Sequence, residues 1–100
     1  MNDLDALIRT SLLFDFYGPL LTDHQRKIYE EVVLNDYSIS EVAEDEGISR
    51  QGVHDMIKRC DQILEGYENK LGMAEKYKKI EALVNQLDDK NLAQQILNIL

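Results

Sequence analysis

The sequence has no tryptophan, one proline and one cysteine, and its 11 Lys and Arg are outnumbered by 19 Asp and Glu. Each shortage excludes something. A lone thiol, Cys60, cannot close an internal disulfide; this fits a reducing cytoplasm, and Cys60 reads as a small packing residue on a helix. Cys60, His24 and His54 lack metal-ligand spacing, so no metal and no other cofactor is expected. No stretch approaches the roughly 18 consecutive apolar residues of a membrane span. Asp3 and Asp5 stand where an export signal carries positive charge, so neither a membrane nor a secretory route is expected. There is no Gly-rich phosphate loop. Ser11, Ser38, Ser40 and Ser49 read as caps or helix positions, with neither histidine placed beside one, so catalysis is not expected. The net charge of −8 argues against tight, indiscriminate binding to nucleic acid, because such affinity comes from Lys and Arg neutralising phosphates.

One hundred residues, 44% of them hydrophobic, suffice for one small core. The periodicity is helical throughout and the class is all-α, with no strand pattern, repeat or Gly/Ser linker. Residues 3 to 17 predict a first helix with Leu4, Leu7, Ile8 and Leu12 on one stripe. Leu13, Phe14, Phe16 and Tyr17 widen the apolar surface at its end, so these four are candidates for the core or for a contact between subunits. Gly18-Pro19 stops this helix. Thr22 and Gln25 form a capping box for a second helix, which Asn35-Asp36 ends. Gly72 marks a bend, so residues 1–72 are read as one domain and 73–100 as a helical extension. Residues 73 to 87 predict a helix with Ile80, Leu83, Val84 and Leu87 at heptad-like spacing, a second set of dimerisation candidates. Asp88 and Asp89 offer the cap for a last segment, whose apolar stripe either folds back on the long helix or pairs with a second chain.

The most informative stretch is 38 to 59, SISEVAEDEGISRQGVHDMIKR. Ser38 and Glu41 make an S-x-x-E start, Gly47 supplies the positive φ of a turn, and Ser49 caps a second helix. Val42, Ala43, Ile48, Val53, Met56 and Ile57 provide inward faces. That is the layout of a helix-turn-helix, although two packed amphipathic helices with no ligand would share much of it. The second helix has no strong breaker except Gly66 and is expected to reach about Leu71. Its outer face carries Arg50, Gln51, His54, Asp55 and Lys58. Arg and Gln in a first turn are the types that reach base edges in a major groove.

Two resemblances rest on these residues. LLTDHQRKIYEEVV…YSISEVAEDEGISRQGVHDMIKRCDQIL, over residues 20 to 64, resembles region 4 of bacterial sigma factors, the helix-turn-helix domain that reads the −35 promoter element. Over residues 12 to 79, LLFDFYGPLLTDHQRKIY, NDYSISEVAEDEGISRQGVHDMIKR and LEGYENKLGMAEKYKK are similar to the YlxM family. These are small helix-turn-helix proteins of Gram-positive bacteria encoded beside the GTPase of the signal recognition particle. The resemblance implies a sigma region 4-like bundle with a long recognition helix, and a regulatory part in the signal recognition particle pathway. Carried over, Ser49, Arg50, Gln51, His54 and Asp55 face the bases, and Lys58 and Arg59 face phosphates. Three residues depart from the sigma-like pattern. Gly52 is small where a longer side chain would extend the contact. Asp55 brings negative charge toward the phosphates. Glu46 stands where an apolar residue usually closes the turn, so that end is looser or Glu46 is used at a contact.

The expectation is a cytoplasmic helix-turn-helix regulator, dimeric, binding DNA or RNA, and not an enzyme. The alternative is an acidic protein-interaction module that does not bind DNA and acts on a component of the signal recognition particle, such as its GTPase.

Overall fold

The structure, a computed structural model, describes residues 3–100; Met1 and Asn2, the first two positions of the expected 1–72 domain, lie outside the described residues. The described chain forms six α-helices and no strand: α1 (Asp3–Tyr17), α2 (Asp23–Tyr29), α3 (Ile39–Glu46), α4 (Arg50–Leu71), α5 (Met73–Val84) and α6 (Lys90–Ile99). Among the described residues, no helix is long and apolar enough to cross a membrane.

The local signals act as their chemistry requires. α1 passes at Gly18–Leu20 into a 3-10 turn with Pro19 in its opening positions. Thr22 and Gln25 exchange both bonds of the capping box, each at 3.1 Å. α2 then widens into a π-helical turn, Glu30–Leu34, which Asp36 ends in the left-handed region at φ 59°. The 22 residues of α4 run unbroken through Gly66, a rod of about 33 Å. α5 stops at Val84, three residues short of the expected Leu87. Its last carbonyls are taken by the amides of Gln86 and Leu87 at 3.1 and 3.0 Å, which tightens the final turn and leaves Leu87 in the loop. Asp89 then caps α6 by accepting from Leu92 N–H at 3.0 Å.

α4 is the axis: α1, α2 and α3 all pack on it. One core cluster joins Leu13, Tyr17, Leu21, Tyr29, Cys60, Leu64 and Ala74. A second, under the helix-turn-helix, joins Ile28, Val42, Ala43 and Val53. The Tyr29 hydroxyl, sheltered in the first cluster, donates to Asp61 at 2.6 Å; burial and that carboxylate push its pKa up. Burial likewise raises the Cys60 thiol to about 11, so at neutral pH it is a packing group and not a nucleophile. α6 doubles back on α5, burying Ala93 and Val84 and turning Leu97 and Leu100 toward Leu12, Phe16 and Tyr77. The tail therefore folds back, but its packing partner is α5, where the long helix was expected, because the corner at Gly72 brings α5 beside it.

The bend at Gly72 (φ 62°) is a fixed corner. The Glu68 carboxylate accepts from the backbone N–H groups of Ala74 (3.0 Å) and Glu75 (3.1 Å), and from the Tyr17 hydroxyl at 2.7 Å. The same hydroxyl accepts from Met73 N–H at 3.0 Å. A side chain of α4 thus caps α5, with α1 as the third party. Burial alone would raise the Glu68 pKa, but the Tyr17 hydroxyl, the two amides and the charge of Arg9 outweigh it and hold the carboxyl below its ordinary value of 4.5. A depressed folded-state value stabilises the fold above the unfolded pKa and loses that contribution as pH falls. Melting temperature is therefore expected to drop as pH falls from about 4.5 through the lower folded-state value, and Glu68→Gln should flatten the drop. An unchanged acid limb in Glu68→Gln would remove this carboxylate from the linkage.

Candidate nucleic-acid interface

Ser38 Oγ accepts from Glu41 N–H at 3.0 Å and starts α3; among the described hydrogen bonds only this arm of the expected capping box is made. α3 buries Val42 (0% exposed) and Ala43 (5%) against α4. At its end Gly47 takes φ 68°, Gly47 N–H reaches Glu44 O, and Ile48 N–H reaches Ala43 O at 3.0 Å. These are the paired bonds of a Schellman turn, which only a residue tolerant of positive φ makes without strain. Ile48 packs into the cluster below. Ser49 Oγ then accepts from Gly52 N–H at 2.9 Å and opens α4. A Cβ at Gly52 would stand 3.2 Å from that Oγ, so the bare backbone leaves the cap uncrowded.

Glu46, the departure from the sigma-like pattern, is used at a contact. Its carboxylate accepts from Lys27 Nζ at 2.8 Å and pairs with His24 Nε2 at 3.1 Å, which ties the end of α3 to α2. The Lys27 bond leads in holding the Glu46 pKa down, with His24 assisting against desolvation, and Lys27 is raised in turn. A salt bridge closes this corner where an apolar side chain does so in the sigma-like pattern.

On this platform α4 turns one face inward through Val53, Met56 and Ile57 and the other to solvent. Ser49, Arg50, Gln51, His54, Asp55, Lys58 and Arg59 are all exposed. Gln51, His54, Asp55, Ile57, Lys58 and Asp61 line one shallow open depression. Gln51 Nε2 donates to Asp55 Oδ1 at 2.9 Å. Asp55 lies three and four residues before Lys58 and Arg59, the spacing of a helical ion pair. Yet among the described residues Arg50, Lys58 and Arg59 enter no ion pair, whereas Arg26, Lys27 and Lys79 do. The outward cations of α4 are thus available to an anion despite the acidic balance of the chain.

The expected contact residues between subunits fall on different terms. Leu13 (4% exposed), Tyr17 (2%) and Val84 (5%) lie in the chain's own core and have no surface to offer a partner. Phe14, Phe16, Ile80 and Leu87 are half-buried, and Phe16 meets Tyr77 edge-on at 5.8 Å between ring centres. Leu83 is 66% exposed. Conversely, Leu4, Leu7 and Ile8, members of the expected stripe, remain open along α1 beside a groove shared with Tyr77 of α5. Packing on α4 and α5 covers only the C-terminal half of α1. The sequence reading also missed Glu68, Lys27 and His24, whose partners are 6 to 51 positions away.

Comparison with known proteins agrees with this geometry. A family model described as "Putative helix-turn-helix protein, YlxM / p13 like" matches residues 4–99. A UPF0122 protein of Caldanaerobacter subterraneus subsp. tengcongensis is 52% identical over 83 residues, covering 79% of this chain and 71% of that one. A UPF0122 protein of Thermoanaerobacter sp. is 49% identical over 84 residues (84% and 69%), and one of Listeria monocytogenes is 49% identical over 80 (80% and 73%). With a match over nearly its whole length and relatives at about half identity, the chain belongs to the UPF0122 family of YlxM/p13-like helix-turn-helix proteins.

Proposed function

We propose that this protein is a nucleic-acid-binding regulator that sets the outward face of α4 into the major groove of a DNA duplex. One observation carries the reading. Arg50 and Gln51 protrude into solvent in the first turn of a helix whose other face is anchored, through Val53, on Ile28 and Val42. In this reading Ser49, Arg50, Gln51, His54 and Asp55 face base edges, and Lys58 and Arg59 meet phosphates. With a net charge of −8, the few free cations carry the attraction, so affinity should fall steeply with salt. Fluorescence anisotropy with duplex DNA tests this. Arg50→Ala should weaken binding by roughly tenfold or more, as loss of a base-reading arginine does. Lys58→Ala and Arg59→Ala should weaken all sequences alike and each lower the salt slope by about one. Affinity indifferent to Arg50→Ala would show that this helix is not the reader.

We further propose that the regulator works as a two-fold dimer in the cytoplasm, through the open apolar stripe of Leu4, Leu7 and Ile8 on α1. Such a dimer would present two reading helices to half-sites about one helical turn apart. Sedimentation equilibrium should give twice the chain mass, and Leu7→Glu with Ile8→Glu should give the monomer. A wild-type monomer at every concentration would overturn the dimer. The regulatory setting we propose, the signal recognition particle pathway, rests on the YlxM likeness of residues 12 to 79. Its test is capture of the particle's GTPase in the presence of nuclease.

A further inference from the structure

The depression on α4 contains a polar pair that does more than add two contacts. An ionised carboxylate can only accept hydrogen bonds, so the group of Gln51 that faces Asp55 must be its NH2. The 2.9 Å bond from Gln51 Nε2 to Asp55 Oδ1 therefore fixes which way the amide is turned. A free glutamine can rotate its end group and offer either two donors or a donor and an acceptor. Held by Asp55, Gln51 keeps one N–H committed and has its Oε1 and one N–H left. Asp55 keeps its second oxygen, a charged acceptor, in the same depression.

We propose that Gln51 and Asp55 form one reading unit selecting adenine and rejecting guanine at the base they face. Asp55 acts as the positioning residue. The proposal rests on the reading of α4 as a groove-binding helix. In the major groove adenine shows a donor (N6–H) beside an acceptor (N7), which matches the Oε1 and remaining N–H of Gln51. Guanine shows two acceptors, O6 and N7. Gln51 could serve both only by turning its NH2 outward, which breaks the bond to Asp55, and the carboxylate would repel both guanine acceptors. Asp55 thereby places a repulsive element against the wrong base, a common source of specificity. The same bond occupies one oxygen of Asp55, and neither Lys58 nor Arg59 enters an ion pair within the described chain. The charge that looked like a penalty in the sequence becomes part of the recognition, and the phosphate-facing cations stay unmasked.

The test uses the full chain and a double-stranded DNA library with a randomised core. Selection is followed by competitive anisotropy on the selected duplex and its single-base variants. Wild type should prefer adenine to guanine at one position by roughly tenfold. Asp55→Ala and Asp55→Asn should bring the guanine duplex to within about threefold of the adenine one, because the amide is then free to rotate. Gln51→Ala should leave only the part of the preference that carboxylate repulsion supplies, Asp55→Ala added to it should remove that remainder, and the double variant should lose less than the sum of the two single losses, as expected of coupled residues. Both side chains are exposed, and matching circular dichroism melts will show that the variants fold. If Asp55→Ala shifts all four duplexes by one common factor, or leaves the adenine preference standing, the reading unit is overturned while groove binding survives. If wild type selects no duplex at physiological salt, both fall together.

Discussion

Ile28→Ala is expected to lower the unfolding free energy by about 2–5 kcal/mol. Ile28 is 0% exposed and lies in α2, outside the helix-turn-helix itself, yet it meets Val42 and Ala43 of α3 and Val53 of α4 in one cluster. Truncation removes buried methyl groups and leaves a cavity at the point where three helices share their contacts. Small domains are held by roughly 5–15 kcal/mol in all, so the loss is a large fraction. In urea the midpoint should fall with the slope unchanged, as for a purely energetic lesion. Nucleic-acid binding should weaken with it, although Ile28 faces no ligand, because the orientation of α4 rests on this cluster. A loss below about 1 kcal/mol would mean that the cluster collapses around the gap and is not the platform described.

Tyr17→Phe should cost about 1.5–3 kcal/mol, far more than an exposed hydroxyl would. The ring stays, stacked near Tyr67 at 5.8 Å between centres, so packing is nearly conserved. The hydroxyl is what disappears, and with it a 2.7 Å bond to an ionised Glu68 and the acceptor for Met73 N–H. Burial and the neighbouring carboxylate hold the Tyr17 pKa up, so the phenol remains a donor across the neutral range. A double-mutant cycle with Glu68→Gln should give a coupling above about 0.5 kcal/mol, and simple additivity would show that the two groups do not act through each other. The effect should concentrate at the start of α5: hydrogen exchange of Met73 and Ala74 amides should accelerate more than exchange in α3.

Parts of this architecture were legible because their causes are local. Thr22 with Gln25, Ser49 and Asp89 cap helices within three residues of themselves, and Gly47 turns the chain where it stands. The length of α4 was legible for the same reason, since its apolar stripe continues to Leu71. What could not be read depends on distant partners. Glu68 and Tyr17 are 51 positions apart. Glu46 is explained by Lys27, 19 positions away, on another helix. Whether an apolar stripe is covered is also non-local: Leu13 and Tyr17 are buried, while Leu7 and Ile8, on the same helix, stay about half exposed. At the candidate site the exposure of Arg50 and Gln51 followed from the helical period, but the bond from Gln51 to Asp55 concerns rotamers, on which periodicity is silent.

The lengthwise layout, 51 × 27 × 25 Å, has a practical consequence. The Cα radius of gyration is 16.1 Å, whereas a compact chain of this length has about 13 Å and 16 Å belongs to one of roughly 190 residues. A single copy should therefore leave a gel-filtration column early, near the volume of a globular standard of almost double the weight. Elution position alone will announce a pair whether or not one exists, and scattered-light intensity, which weighs particles directly, separates the cases.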